Sequence, residues 1–202
     1  MKKISFVITA WNEEGNIKEL FSQIELAISN QKEYEFEYIF VDNGSTDNTL
    51  QECKNLKNLD NRIKILKLSR NFGFEGGITA GIEYSDSDAV VIMTANLQDD
   101  PRLINKFIQH WEEGYDMVYG IVSSRPGKSR ARKFNSILFY KLINFLTKGL
   151  IPKDVSDYRL VDKKVIDAVK SMKEYNRFYR GFFAWVGFKS IGVEFHRQKR
   201  FS

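Results

Sequence analysis

A single cysteine, Cys53, stands in the whole chain, so no disulfide can form within it and a reducing, cytosolic setting is expected. The two histidines, His110 and His196, make no zinc-type spacing with that cysteine. His110 falls in the polar part of a predicted helix, where surface placement is expected of it. No run approaches the roughly 18 consecutive apolar residues of a membrane-spanning helix, so the chain as given is not expected to cross a bilayer. The N-terminal "MKKISFVITAW" sets two lysines before an apolar run. That run is short and meets "NEE" without a small-residue cleavage site, so it reads as a first buried strand rather than a secretion signal. G-x-G-x-x-G does not follow this strand, which counts against dinucleotide redox chemistry. Neither an internal repeat nor a low-complexity tract occurs.

What is present begins with charge. Lys and Arg number 31 against 26 Asp and Glu, a net +5 in 202 residues, which favours anionic partners such as phosphates, nucleotides or acidic lipid. Nucleic acid is not expected, because the positive charge concentrates in one loop and no recognition motif accompanies it. The length fits one domain. Its one plausible internal boundary is that loop, "SSRPGKSRARK", with Arg125, Lys128, Arg130, Arg132 and Lys133. The boundary divides an α/β half, 1–122, from a C-terminal part of the same domain, 123–202.

The first half alternates short β-type runs with helical segments, the signature of a parallel sheet with crossover helices. Strands are expected at "ISFVIT", "FEYIFV", "RIKILKL" and "DAVVIM", with a further one at "YDMVYGIV". In the first helix Ile17, Leu20, Phe21 and Ile24 share one face. Pro101 opens a fourth helix, with Asp99 or Asp100 as its cap and Gly114 as its stop. Beyond the basic loop two aromatic-rich segments, "KFNSILFYKLINFLTKGL" and "NRFYRGFFAWVGF", are apolar on more than one face. Burial in the core or against a second copy of the chain is the favoured reading of each over membrane contact.

Parallel strands place their carboxyl ends on one edge, so four polar clusters should converge on one crevice. They are "TAWNEEGN", "VDNGSTDNT", "SRNFGFEGG" and "TANLQDDP". Asp42 ends a strand and can accept hydrogen bonds from a ribose or a base N–H, while Ser45 or Asp47 caps the next helix. Arg70 offers a cation to phosphate, and Gly73 lets backbone approach a ligand closely. A strand-turn-helix connection with no ligand would explain any one of these clusters alone.

"VITAWNEEGNI", "FVDNGSTDNT", "LSRNFGFEGGITAGI", "NLQDDP", "VSDYRL" and "WVGF", in this order, resemble the family 2 inverting glycosyltransferases of the GT-A fold. Within them the likeness is to the polyprenyl-phosphate group, the dolichol-phosphate mannose synthases and bactoprenol glucosyltransferases. The resemblance spans Ile4 to about Arg200 and implies a mostly parallel sheet flanked by helices, with amphipathic helices towards the C-terminus. It implies a UDP or GDP sugar as donor and a polyprenyl phosphate as acceptor. Thr9, Ala10, Trp11, Asn12, Glu13 and Glu14 match the family's nucleotide-wrapping segment. Asp42 and Asn43 match the base or ribose reader, and Arg70, Asn71 and Gly73 the diphosphate side. Arg125, Arg159, Arg197 and Arg200 match positions near acceptor or diphosphate.

One departure bears on chemistry. The family's D-x-D motif, normally "DADLQ", aligns with Thr94, Ala95, Asn96, Leu97 and Gln98, and both acids are replaced. Mg²⁺ or Mn²⁺ prefers hard anionic oxygens, so Asn96 and Gln98, with neutral carbonyls, imply weakened metal binding. Three outcomes stay open: a metal held mainly by the phosphates, cationic side chains taking over its charge, or a degenerate site. A lipid phosphate is already anionic and needs no general base, only cations that hold two anions together. Transfer to a saccharide hydroxyl would instead require a carboxylate such as Asp99, Asp100 or Asp157. A nucleotide-sugar binder that has lost turnover is the third reading. Aromatic segments beside clustered Lys and Arg point to peripheral attachment at the inner face of a membrane.

Overall fold

The computed structural model of the chain describes residues 1–124, 154–174 and 177–198. Arg125, the rest of the basic loop, the apolar segment 134–146 and Arg200 lie outside the described residues, and the roles expected of them with it.

Seven strands form one sheet in the order β3-β2-β1-β4-β6-β5-β7. The strands β1 (Lys2–Ala10), β2 (Tyr34–Asp42), β3 (Ile63–Lys67) and β4 (Ala89–Thr94) run parallel, each where an apolar run predicts it. β5 (Met117–Ser124) and β7 (Ser190–His196) are parallel to each other. β6 (Val155–Asp162) alone is antiparallel, pairing with both β4 and β5. The mostly parallel sheet expected from the sequence is therefore present, with one reversed strand inserted beside β4.

Alternation along the strands feeds two cores. Ile4, Phe6 and Ile8 of β1 join Val91 and Met93 of β4 under α1 (Ile17–Ile28), α2 (Thr49–Leu59) and α4 (Leu103–Glu112). Val7, Val90 and Ile92 face the other way, towards α3 (Gly73–Tyr84), α5 (Lys163–Lys170) and α6 (Tyr179–Trp185). Helix α1 buries Ile17, Leu20, Ile24 and Ile28, a three-to-four spacing, while Phe21 packs half-buried beside them. Each such side chain contributes roughly 1.5–3 kcal/mol by leaving water. Cys53 is one of these core residues, and burial pushes its thiol up to about 12.

Capping refines the fourth helix. Its regular turns begin at Leu103, and Asp100 Oδ1 accepts the Arg102 N–H at 2.9 Å. The N-cap position is Arg102, without a side-chain cap bond, so Asp100 braces the turn ahead of the helix and Asp99 is buried instead. Gly114 follows the helix end at φ 86°, the left-handed stop expected of it.

Candidate active site

The carboxyl ends of β1, β2 and β4 and the start of α3 meet on one rim. Between them lies a cleft of about 250 Å³ lined by Thr9, Ala10, Trp11, Glu13, Asn43, Asn71, Gly73, Phe74, Thr94 and Asn96. All four polar clusters contribute, so the convergence inferred from strand direction holds, and polar side chains of Thr9, Glu13, Asn43, Asn71, Thr94 and Asn96 stand among apolar walls. Phe74 is the wall residue that sequence reasoning passed over; its place two residues after Phe72 in "NFGF" gave no signal of which aromatic ring turns inward.

The loops brace one another before any ligand arrives. Asn12, held at φ 52°, donates its N–H to Ser45 Oγ at 3.0 Å and accepts from Thr46 N–H at 2.9 Å, stapling the first loop to the second. The Glu13 N–H reaches Thr49 Oγ1 at 2.8 Å, and its carboxylate accepts from Asn16 at 2.6 Å. Asp47 Oδ1 accepts the Thr49 N–H at 3.0 Å where α2 begins, but the N-cap position is Asn48, which makes no side-chain cap bond, so neither Ser45 nor Asp47 takes the capping place expected of it. Asn43 ties the second loop to the third: its Nδ2 donates to the Gly73 carbonyl at 2.8 Å and its Oδ1 accepts from Phe72 N–H at 3.0 Å. Gly44, at φ 71°, lets this pair close, because a Cβ there would meet the Arg70 carbonyl carbon at 2.5 Å.

Asp42 is fully buried. Its Oδ1 accepts the Ser45 N–H at 3.0 Å, and its Oδ2 has no hydrogen-bond partner. A buried carboxylate oxygen left open costs on the order of 1–3 kcal/mol, and Asp42 is not among the residues that line the cleft. Trp11 stands at the mouth, 50% exposed, a flat apolar surface available for stacking.

The fourth loop carries the replaced acids. Asn96 Oδ1 accepts the Gln98 N–H at 3.1 Å and Asn96 Nδ2 donates to Gln98 Oε1 at 3.2 Å, so both amide oxygens are engaged with each other's residue. Thr94 Oγ1 is buried without a partner. Between Asn96 and Gln98, Leu97 sits at φ 54°, a left-handed conformation uncommon for a branched residue and held here by its burial. Asp99, 3% exposed, faces Arg197 at 3.2 Å. Burial pushes its carboxyl above the usual range, and Arg197 only partly offsets that.

These donors do not fit a divalent ion. The set offers a hydroxyl and amide oxygens already accepting hydrogen bonds, and the adjacent carboxylate is paired with an arginine. Among the described residues no three His, Cys, Asp or Glu side chains gather into a metal-binding group.

Two of the arginines singled out in the sequence, Arg70 and Arg159, do not line the cleft. Arg70 is exposed, stacked 4.0 Å over the Phe72 ring and outside the cleft lining. Arg159 is 3% exposed, donating to the Ser156 carbonyl at 2.9 Å and the Asp157 carbonyl at 3.2 Å beneath the Phe183 ring of α6. Burial brings its pKa down to about 10. It is a core cation joining β6 to α6 and does not line the cleft. Arg197 belongs to a strap: beyond β7, Gln198 N–H also donates to the Gln98 carbonyl at 3.1 Å. His110 pairs with Glu113 at 2.8 Å on the surface of α4, as expected.

The glycosyl transferase family 2 profile matches residues 5–170. The chain is 41% identical over 199 residues to an uncharacterized glycosyltransferase of Synechocystis sp., covering 98% of this chain and 62% of that protein. It is 34% identical to the prophage bactoprenol glucosyl transferase homolog of Escherichia coli, over 98% of this chain and 64% of the relative. The chain thus spans somewhat over half the length of the curated relatives it matches. Among solved structures it is similar to the mannosyltransferase PcManGT of Pyrobaculum calidifontis in complex with GDP-Man and Mn²⁺, with a TM-score of 0.62 and 13% identity, over 96% of this chain and 55% of that one. It is also similar to S. aureus TarS 1-349 in complex with UDP-GlcNAc, with a TM-score of 0.60 and 16% identity, over 99% and 60% of the two chains. The fold is that of the GT-A glycosyltransferases.

Proposed function

The chain belongs to glycosyl transferase family 2, and on that premise we propose that it moves a sugar, with inversion, from a UDP or GDP sugar in the four-loop cleft to a polyprenyl phosphate. The observation that carries this reading is the meeting of Trp11, Asn43, Asn71 and Thr94, from four separate loops, around one cleft. Trp11 would stack on the base, and Thr94, Asn96 and Asn71 would face the diphosphate. Asp42, matched to the base or ribose reader but buried outside the cleft lining, would need the adjoining loop to shift before it could accept from base or ribose. The acceptor class is supported by the relative named as a bactoprenol glucosyl transferase homolog.

In the proposed step an oxygen of the lipid phosphate forms a bond to the anomeric carbon as the bond from that carbon to the donor's phosphate oxygen breaks. The bonding electrons leave with the nucleoside diphosphate. The attacking oxygen is already anionic, so no proton has to be removed and the protein's part is positioning.

The rival transfer to a saccharide hydroxyl needs a carboxylate base, and each carboxylate considered for that role is engaged. Asp99 faces Arg197 at 3.2 Å, Asp100 faces Arg102 at 2.7 Å, and Asp157 accepts from Arg180 Nε at 2.6 Å. This favours the phosphate acceptor.

Residues 1–122 would serve the donor and 123–202 the acceptor, at the inner surface of a membrane. Phe178 and Trp185 are exposed at the two ends of α6, an apolar surface that an interface could take up, while the neighbouring Arg177 and Arg180 are paired with Glu83 and Asp157. No helix among the described residues is long and apolar enough to cross a bilayer.

The experiment is transfer of radiolabelled sugar from a panel of UDP and GDP sugars to polyprenyl phosphate in detergent micelles. Label passing into the organic phase supports the reading; label remaining water-soluble with every donor contradicts it.

A further inference from the structure

Building on the nucleotide-sugar reading of the cleft, we propose that the donor diphosphate is held by neutral hydrogen-bond donors, Thr94, Asn96 and Asn71, without a divalent ion. Three side-chain donors point this way. Thr94 Oγ1 is buried and has no partner in the protein, a hydroxyl with its hydrogen bond still to give. Asn96 Nδ2 spends one hydrogen on Gln98 Oε1 and keeps the other. Asn71 uses its Oδ1 to accept from Asn43 Nδ2 at 3.2 Å and Gly73 N–H at 2.7 Å, which fixes the amide with both Nδ2 hydrogens left to give. All three residues line the same cleft.

Charge leads to the same conclusion. Two carboxylates around one divalent cation sum to zero, and so do a threonine and an asparagine with no cation. The neutral pair presents a diphosphate with the same net charge as the metal-loaded acidic pair, so the anion can approach the protein directly. An acidic pair without its metal would repel it. A dication has little to gain here: the amide oxygens of Asn96 and Gln98 are already hydrogen-bond acceptors within the loop, and Asp99 is committed to Arg197. The substitution of both acids is therefore a change of binding mode, from ion bridging to direct hydrogen bonding.

The test is titration calorimetry of UDP and of GDP against the chain, in chelator and in millimolar Mn²⁺, with two variants, one single and one double. The proposal expects the Kd in chelator to lie less than about fivefold from that in Mn²⁺, the span of one neutral hydrogen bond. A chelator-induced loss of fivefold or more overturns it while leaving the nucleotide-sugar reading intact. Thr94→Val keeps the side chain's shape and removes its hydroxyl, and it should weaken chelator-phase binding by about fivefold or more; unchanged affinity would overturn the assignment of Thr94. Thr94→Asp with Asn96→Asp should bind only when Mn²⁺ is added, and binding in chelator equal to the parent's would count against the charge argument. If neither nucleotide binds the parent chain in either buffer, the donor reading of the cleft fails and this proposal with it.

Discussion

The guanidinium of Arg197, just past β7, lies 3.2 Å from the buried carboxylate of Asp99 in the loop after β4. The last described segment is thereby fastened to the loop proposed to face the donor diphosphate, 98 residues earlier in the chain. Removing the cation strands a carboxylate where only 3% of Asp99 is exposed. Arg197→Gln should cost about 3 kcal/mol, a fall in melting temperature of about 6–12 °C for a chain of this size. Acid neutralises the stranded carboxylate, so the deficit should be smaller at pH 5 than at pH 8. Calorimetric melts at the two values read both effects.

Gly44 allows two site loops to touch, and its φ of 71° adds strain to any side chain placed there. Gly44→Ala should destabilise by about 1–3 kcal/mol and also weaken UDP or GDP binding, because the Asn43 and Asn71 amides move with the loops. Gly114→Ala is the control. Its φ is 86°, but nothing lies within 4 Å of the added carbon; it should cost about 1 kcal/mol and leave nucleotide affinity unchanged.

Glu37 sits under the sheet between Lys3 and Lys64, each at 2.8 Å, with Ser5 donating at 2.6 Å. Burial raises its pKa, but the hydrogen bonds from the two lysines and the serine outweigh that and leave it below the usual carboxylate range. A lowered carboxylate pKa contributes stability above the unfolded pKa and loses it as pH falls through the folded one. Glu37→Gln should therefore be less stable than the parent at pH 7 by about 2 kcal/mol, with the gap closing below pH of about 4. Urea unfolding at pH 7 and pH 3.5 measures it.

Trp11 offers a half-exposed ring at the cleft mouth. Trp11→Ala should weaken UDP or GDP binding by about 1–3 kcal/mol, the worth of one base stacked on an aromatic ring, while leaving the melting temperature of the free chain nearly unchanged. Fluorescence titration of the parent should show quenching that the variant lacks.

The four-loop cleft was legible in the sequence because its signals are local. Apolar runs of strand length end in polar clusters, and parallel strands must bring such ends to one edge; Ile4 to Ile8, Ile39 to Val41 and Val90 to Met93 mark those strands plainly. Strand β6 escaped notice because Ser156, Asp157 and Arg159 interrupt its apolar pattern, and only the antiparallel insertion between β4 and β5 explains a buried arginine there. The roles of the arginines were not legible for the same reason. Nothing in "SDYRL" or "RQKR" distinguishes a cation aimed at phosphate from one bound to backbone carbonyls, as Arg159 is, or to a carboxylate far away in sequence, as Arg197 is. The loss of both acids at Thr94 and Asn96 was plain from the sequence. What fills their place depended on side-chain directions that only coordinates provide.

The most direct measurement of the central claim is a crystal structure of the chain grown with UDP or GDP in chelator. The account predicts the base against Trp11 and the diphosphate within hydrogen-bond distance of Thr94, Asn96 and Asn71. A nucleotide bound outside the rim formed by the four loops, or a cleft that stays empty at saturating nucleotide, would contradict it.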